Sequence, residues 1–294
     1  MTDGPSRLDH SRRIVLPIAV VIVLAAGAAG AWALTSRGSS SHRAAAVVIT
    51  TTSVTSTTAT ATTGASPSTT PTAGSIAGRV IVLDPGHNEH NVEHTAEINK
   101  LVDVITEQKA CDTTGTEADD GYSEAAFNTD VTNRVAAILR GLGATVILTR
   151  SPSTPFGPCV TERAAIGNQA HANVAISIHA DGGPADGHGF EVIEPLVVPG
   201  HNDAIISPSR ELALDVRNAY QAATGLSFAT YVGHNGVDDR DDLGGLNLST
   251  VPKVFIECGN MRNAGDAHQL EDDNFRQRIA TGIANGLEAF LASH

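Results

Sequence analysis

The chain has 294 residues, with 32 acidic against 19 basic side chains and a net charge of −13 at pH 7. Without a basic patch interleaved with aromatics, that balance excludes nucleic acid and anionic lipid as main partners of the folded part. No glycine-rich phosphate loop opens a helix and no Gly-x-Ser-x-Gly elbow occurs, so nucleotide and serine-nucleophile chemistry are excluded as well.

Residues 1–13 form a basic N-terminus with Arg7, Arg12 and Arg13, and residues 14–34 carry no charge. That stretch matches the roughly 20 apolar residues needed to cross a bilayer. It reads as an uncleaved membrane anchor with its basic end in the cytoplasm, or as a signal peptide cut near Ala31-Trp32-Ala33. Either way, the remainder is expected outside the cytoplasm. Residues 35–75 are mostly Ser, Thr and Ala with Pro67 and Pro71, too poor in large apolar groups to offset the entropy of ordering, and read as a disordered linker. Residues 76–294 are expected to form a single domain, monomeric in its active form.

Within that block, short apolar runs alternate with helical patterns. Strands are predicted at Arg79 to Leu83, Thr145 to Thr149, Val174 to Ile178, Gly189 to Ile193 and Lys253 to Glu257. Helices are predicted at Ser123 to Leu142, Thr161 to Gln169, Ser209 to Thr224 and His268 to Ala292. Ile98, Leu101, Val102 and Ile105 recur at roughly helical spacing in the segment between. The pattern is that of an α/β fold, a three-layer sandwich around a mostly parallel twisted sheet.

Three of these strands run straight into polar residues. Val80-Ile81-Val82-Leu83 leads through Asp84-Pro85-Gly86 to His87, Val174 to Ile178 ends at His179, and Val254-Phe255-Ile256 ends at Glu257. Sites in such sheets lie beyond the carboxyl ends of the strands, so the three side chains should converge. Two imidazoles and a carboxylate, with an open position for water, are the donor set of a catalytic zinc site. His87 and His179 supply the imidazoles, and Glu124, opening the first long helix, is the best-placed carboxylate, with Glu117, Asp119 and Asp120 as competitors. Glu257 is then the general base, beside the metal but not on it. An ionisable group ending a Val-Phe-Ile strand is costly to bury without such a partner.

Asp84-Pro85-Gly86-His87, Ser123-Glu124, Leu148-Thr149-Arg150, Ser177-Ile178-His179-Ala180-Asp181 with Gly189-Phe190-Glu191-Val192, and Pro252 through Asn263 together resemble the zinc-dependent N-acetylmuramoyl-L-alanine amidases of the amidase_3 family. The likeness runs over nearly all of residues 78–292. The Glu257-Cys258-Gly259-Asn260-Met261 ending and Gly157-Pro158-Cys159 are similar to the actinobacterial, mycobacterial-type branch. The resemblance implies that His87, Glu124 and His179 bind Zn²⁺, that Glu257 is catalytic, and that Arg163 is structural. The implied reaction is hydrolysis of the amide between N-acetylmuramic acid and L-alanine in peptidoglycan. Asn88 and Asn260 depart from many relatives without removing a ligand. No wall-binding repeat is visible, so the catalytic domain must hold the substrate itself, with His188, His234, Asn247 and Asn260 as candidate contacts. A carboxypeptidase-like zinc hydrolase acting on stem peptides and a non-catalytic wall-binding protein of the same fold are the competing functions.

Three cysteines outside the cytoplasm allow one disulfide. Cys258 follows Glu257 on a strand and should point to the opposite face as a small buried residue. That leaves a Cys111–Cys159 bridge, tying the 88–123 insertion beside the site as a partial lid or simply as a stapled loop.

Overall fold

The computed structural model describes residues 76–294. The apolar stretch 14–34 and the Ser/Thr-rich linker 35–75 lie outside the described residues. In chain order the elements are β1 (Val80–Pro85), α1 (Thr95–Ile98), β2 (Leu101–Asp103), β3 (Gln108–Ala110), α2 (Glu124–Gly141), β4 (Thr145–Leu148), α3 (Val160–Gln169) and β5 (Val174–Asp181). They continue with β6 (Glu191–Pro195), α4 (Ile206–Thr224), β7 (Val237–Arg240), α5 (Gly244–Asn247), β8 (Lys253–Asn260), α6 (Ala264–Glu271) and α7 (Asp273–Ser293).

Six strands form one sheet in the order β4-β1-β5-β8-β6-β7. Strands β4, β1, β5 and β8 are parallel, β6 is antiparallel to β8, and β7 is parallel to β6. The mostly parallel sheet is as expected. The reversed direction of β6 sets Glu191 opposite Glu257 in the register.

Alternation along the central strands divides the two faces. Ile81, Leu83, Ile176, Ile178, Val254 and Ile256 enter the main core, which packs under α2, α4 and α7. Burying each such side chain contributes roughly 1.5 to 3 kcal/mol. Val82, Ala175 and Phe255 point the other way, into two small apolar clusters beside α3 and α5. Asp84, Ser177, His179, Lys253 and Glu257 share that second parity. The thinly covered face therefore receives the polar residues. Cys258 has the opposite parity, and as expected it is a free cysteine buried in the main core.

Helix α2 begins where Ser123 Oγ accepts the amide of Ala126 at 3.3 Å, a side-chain cap for an otherwise unpaired donor. Val131, Val135 and Leu139 are fully buried along it, as the spacing predicts. The single helix predicted at His268 to Ala292 is two, α6 and α7. Asp272 between them is extended and caps the second by accepting the amide of Phe275 at 2.7 Å, so local side-chain chemistry overrides the continuous apolar pattern.

The helical spacing of Ile98, Leu101, Val102 and Ile105 is misleading. β2 and β3 form an antiparallel hairpin, Leu101 is 68% exposed, and Ile105 occupies the turn at φ 77°. Asp103 stabilises that turn by accepting the amide of Ile105 at 2.7 Å. Strand β7 was not predicted, because Val237-Asp238-Asp239-Arg240 has a single β-former among three charged residues. The Cys111–Cys159 disulfide is present. Among the described residues no helix is long and apolar enough to cross a membrane.

Candidate metal centre and active-site cleft

The β1 strand delivers His87 through a turn whose three successive carbonyls are held by buried guanidinium groups. Pro85 O accepts from Arg163 Nη1 at 2.7 Å and from Arg150 Nε at 3.1 Å. Gly86 O accepts from Arg150 Nη2 at 3.1 Å, and His87 O from Arg163 Nη2 at 2.9 Å. This clamp holds His87 at φ 55°, in a region costly for a non-glycine residue. Arg163 thus braces the β1 turn, a structural role in keeping with its expected one.

His87, Glu124 and His179 come together, with donor atoms all within 4.8 Å of one another. Glu124 sits between the two rings: Oε2 is 3.1 Å from His87 Nε2, and Oε1 is 3.0 Å from His179 Nδ1. The carboxylate is fixed by Thr116 N at 3.0 Å and Asn128 Nδ2 at 3.3 Å. On the far side of the His87 ring, Nδ1 lies 3.2 Å from Thr113 O. The competitors Glu117, Asp119 and Asp120 are exposed and outside this cluster. Two imidazoles facing one carboxylate, with the outer nitrogen of His87 already engaged, fit a divalent transition metal and leave a coordination position free.

Two glycines make the approach possible. A Cβ on Gly86 would stand 2.2 Å from the His179 ring, and one on Gly115, at φ 78°, would stand 2.8 Å from Glu124 Oε2 and 2.9 Å from His87. Any side chain at either position would displace a donor.

The electrostatics follow from the crowding. Burial opposes charge on His87, but the carboxylates of Glu124 and Asp112 prevail and raise its pKa to about 10. Burial likewise opposes the Glu124 carboxylate, yet His87 and His179 hold its pKa well below the usual range. For His179 burial prevails and lowers the pKa.

Glu257 lies beside His179 in the β5–β8 register, and Glu191 is its partner on β6, so the three form a row across adjacent strands. Burial, with the charges of Glu124, Asp181 and Glu191, pushes the Glu257 pKa well up. Burial and the nearby Asp238 and Asp181 raise Glu191 to about 8. Oε2 of each glutamate is buried and makes no hydrogen bond within the protein. Glu191 was part of a sequence motif but carried no predicted role, because only the strand pairing brings it to Glu257.

A cleft of about 400 Å³ opens over the cluster, bordered by His87, Glu124, His179, Asp181, Arg240 and Glu257. A second chamber of about 350 Å³ adjoins it, sharing His87, Thr113, His179 and Phe255, and runs under the β3 end of the hairpin. Lys109 Nζ meets Asp242 Oδ2 at 2.7 Å and the disulfide holds the base, so the insertion borders the site as expected.

The expected substrate contacts fare differently. His188 and His234 are exposed and outside the cleft lining. Asn247 and Asn260 are fully buried. Asn247 donates to Val104 O and Asp241 O, anchoring the hairpin, and Asn260 donates to Pro184 O and Gly187 O. Their polar groups serve backbone loops, which corrects the expectation that they line the cleft. Asn88 is also internal, joining the His87 turn to Thr154 O and Gly157 O.

Fold and site together define an α/β protein with a His/Glu/His cation site and a half-buried glutamate at its rim. The chain matches the Amidase_3 family, N-acetylmuramoyl-L-alanine amidase, over residues 81–289. It is 38% identical over 227 residues to the N-acetylmuramoyl-L-alanine amidase Rv3717 of Mycobacterium tuberculosis, covering 77% of this chain and 92% of that protein. The crystal structure of the N-acetylmuramyl-L-alanine amidase Ami1 from Mycobacterium smegmatis superimposes with a TM-score of 0.70 at 40% identity, covering 74% of this chain and 99% of that one. Ami1 from Mycobacterium abscessus gives 0.68 at 40% identity, with 74% and 100% covered. This chain belongs to the Amidase_3 family, in its mycobacterial branch, and is an N-acetylmuramoyl-L-alanine amidase.

Proposed function

We propose that this amidase hydrolyses the bond between the lactyl group of N-acetylmuramic acid and L-alanine in peptidoglycan, with a zinc ion held by His87, Glu124 and His179 and with Glu257 as the general base. The observation that carries this reading is the convergence of two imidazoles and a carboxylate within 4.8 Å, with Glu257 on the neighbouring strand. Zinc in that position supplies a Lewis acid that polarises the amide carbonyl and acidifies water.

The protein's own residues do the rest. Glu257 takes a proton from the attacking water and returns it to the leaving L-alanine amine. Phe255, stacked on the His179 ring at 5.2 Å, keeps that imidazole in place. The cleft and the adjoining chamber meet at the cluster, giving the two sides of the scissile amide separate space. Residues 14–34 serve as the export signal or membrane anchor, supported by their lack of charge after Arg7, Arg12 and Arg13; this places the domain outside the cytoplasm, where peptidoglycan lies.

The deciding experiment digests purified peptidoglycan with and without a chelator and identifies the products by mass spectrometry. New L-alanine amino termini that vanish with chelator and return with zinc are expected. Cleavage within the stem peptide would overturn the bond assignment. Glu257→Gln should keep one zinc per chain and lose about 10² to 10⁴ in rate; near-normal turnover would remove Glu257 from the mechanism.

A further inference from the structure

Four alternating charges run through the interior to the outer nitrogen of His87. Lys253 Nζ meets Asp84 Oδ2 at 3.1 Å, and Arg163 Nη1 meets Asp84 Oδ1 at 2.8 Å. Arg163 Nη2 meets Asp112 Oδ2 at 2.9 Å, and Asp112 Oδ1 lies 3.5 Å from His87 Nδ1. Lys253, Asp84, Arg163 and Asp112 are each 2–5% exposed.

Two cations and two carboxylates already balance, so the chain does not need a charged His87 to be neutral. It leaves the negative end beside Nδ1. Asp112 also accepts the amide of Thr113 at 2.8 Å, fixing the residue whose carbonyl faces Nδ1 at 3.2 Å. Nδ1 is engaged on that side, so Nε2 is the nitrogen turned toward Glu124 and free to take a cation. Arg163 meanwhile holds the His87 carbonyl. Arg163 therefore holds the histidine's backbone, while Asp112 faces its ring at 3.5 Å and fixes Thr113, whose Oγ1 and carbonyl are the nearest groups to Nδ1 at 3.1 and 3.2 Å. A buried ion pair is by itself weak evidence for stability, and this one ends on a metal-site imidazole.

We propose that Asp112 is a positioning residue for the metal: with Arg163 it holds His87 in its strained backbone conformation, with Nδ1 turned to the Asp112–Thr113 side, so that Nε2 is presented to the metal. This rests on the reading of His87 as a ligand. A carboxylate behind a ligating histidine typically strengthens metal binding 10- to 100-fold. The neighbouring Cys111–Cys159 disulfide joins the two segments that carry the pair, since Cys111 precedes Asp112 and Cys159 immediately precedes the helix bearing Arg163.

The test measures zinc affinity of the metal-free full chain by competition with a chromophoric chelator, with thermal unfolding of the same samples. Asp112→Asn is expected to bind zinc about 10- to 100-fold more weakly while still unfolding cooperatively. Thr149→Val removes a hydroxyl that donates to Asp84 at 2.6 Å, a part of the network that does not itself touch His87, and is expected to lower stability with zinc affinity unchanged. Wild-type affinity in folded Asp112→Asn overturns the inference, as does an equal loss of affinity in Thr149→Val, which would make the effect one of general stability. Should Asp112→Asn fail to fold, Arg163→Lys keeps the charge but loses the fork, and the same outcomes apply to it. Failure of the wild type to bind one zinc would instead overturn the metal site itself.

Discussion

Glu191 and Glu257 face each other across the antiparallel β6–β8 pair, each with a buried carboxylate oxygen that no protein group satisfies. Like charges directly opposite in a sheet are destabilising. The charge of Glu191 adds to burial and to Glu124 and Asp181 in raising the pKa of Glu257.

Replacing Glu191 with Gln removes one charge from this pair. The pKa of Glu257 should fall, and because a general base works deprotonated, the acid limb of the pH–rate profile should move to lower pH. A profile that coincides with wild type would show that Glu191 does not tune Glu257. Stability gives an independent readout. The folded pKa of Glu191, about 8, lies above its unfolded value near 4.5, so the wild type should lose stability as pH rises between those values. Glu191→Gln should lack that part of the decline in denaturant titrations.

Asp84 is the hub of the interior network, accepting from Thr149, Ser177, Arg163 and Lys253. Asp84→Asn leaves two buried cations short of a partner and should cost about 3 to 5 kcal/mol by chemical denaturation. Burial favours the protonated acid, but Lys253 and Arg163 outweigh it and hold the pKa well below 3.8. Its contribution is therefore present above about pH 3.8 and lost as pH falls through the lower folded value. Acid unfolding of Asp84→Asn should be correspondingly less steep below pH 4. Equal steepness would mean that other carboxylates control that transition.

Gly86→Ala places a methyl group where the His179 ring now lies. The fold should survive, since the clash is with one side chain, while turnover should fall about 10²-fold from displacement of a donor. Normal turnover with a cooperative melt would show that His179 has room to move without consequence.

The disulfide closes a loop of 48 residues in sequence separation. Changing both Cys111 and Cys159 to Ser should lower stability by about 2 to 4 kcal/mol, read as a lower Tm without reductant. An unchanged Tm would mean that the Lys109–Asp242 pair and the Asn247 hydrogen bonds already secure the hairpin.

Much of the site is determined locally. Period-two alternation in β1, β5 and β8 assigns His179 and Glu257 to one face and Cys258 to the other, and the Asp84-Pro85-Gly86-His87 turn places an imidazole at a strand end whatever surrounds it. Helix α2 likewise follows from its apolar spacing and Ser123 cap. The direction of β6 is not local, because a strand of Glu191-Val192-Ile193 pairs equally well either way and only the chain's route around α4 and β8 selects one. Asn247 and Asn260 appeared available for substrate because sequence shows side-chain chemistry but not which backbone carbonyls claim it. The 101–110 segment has helical spacing, yet the turn at Asp103–Ile105, the disulfide and the Lys109–Asp242 contact make it a hairpin. The charge network behind His87 joins residues 84, 112, 163 and 253, and only tertiary packing brings these distant segments close enough for their charges to interact in a low-dielectric interior.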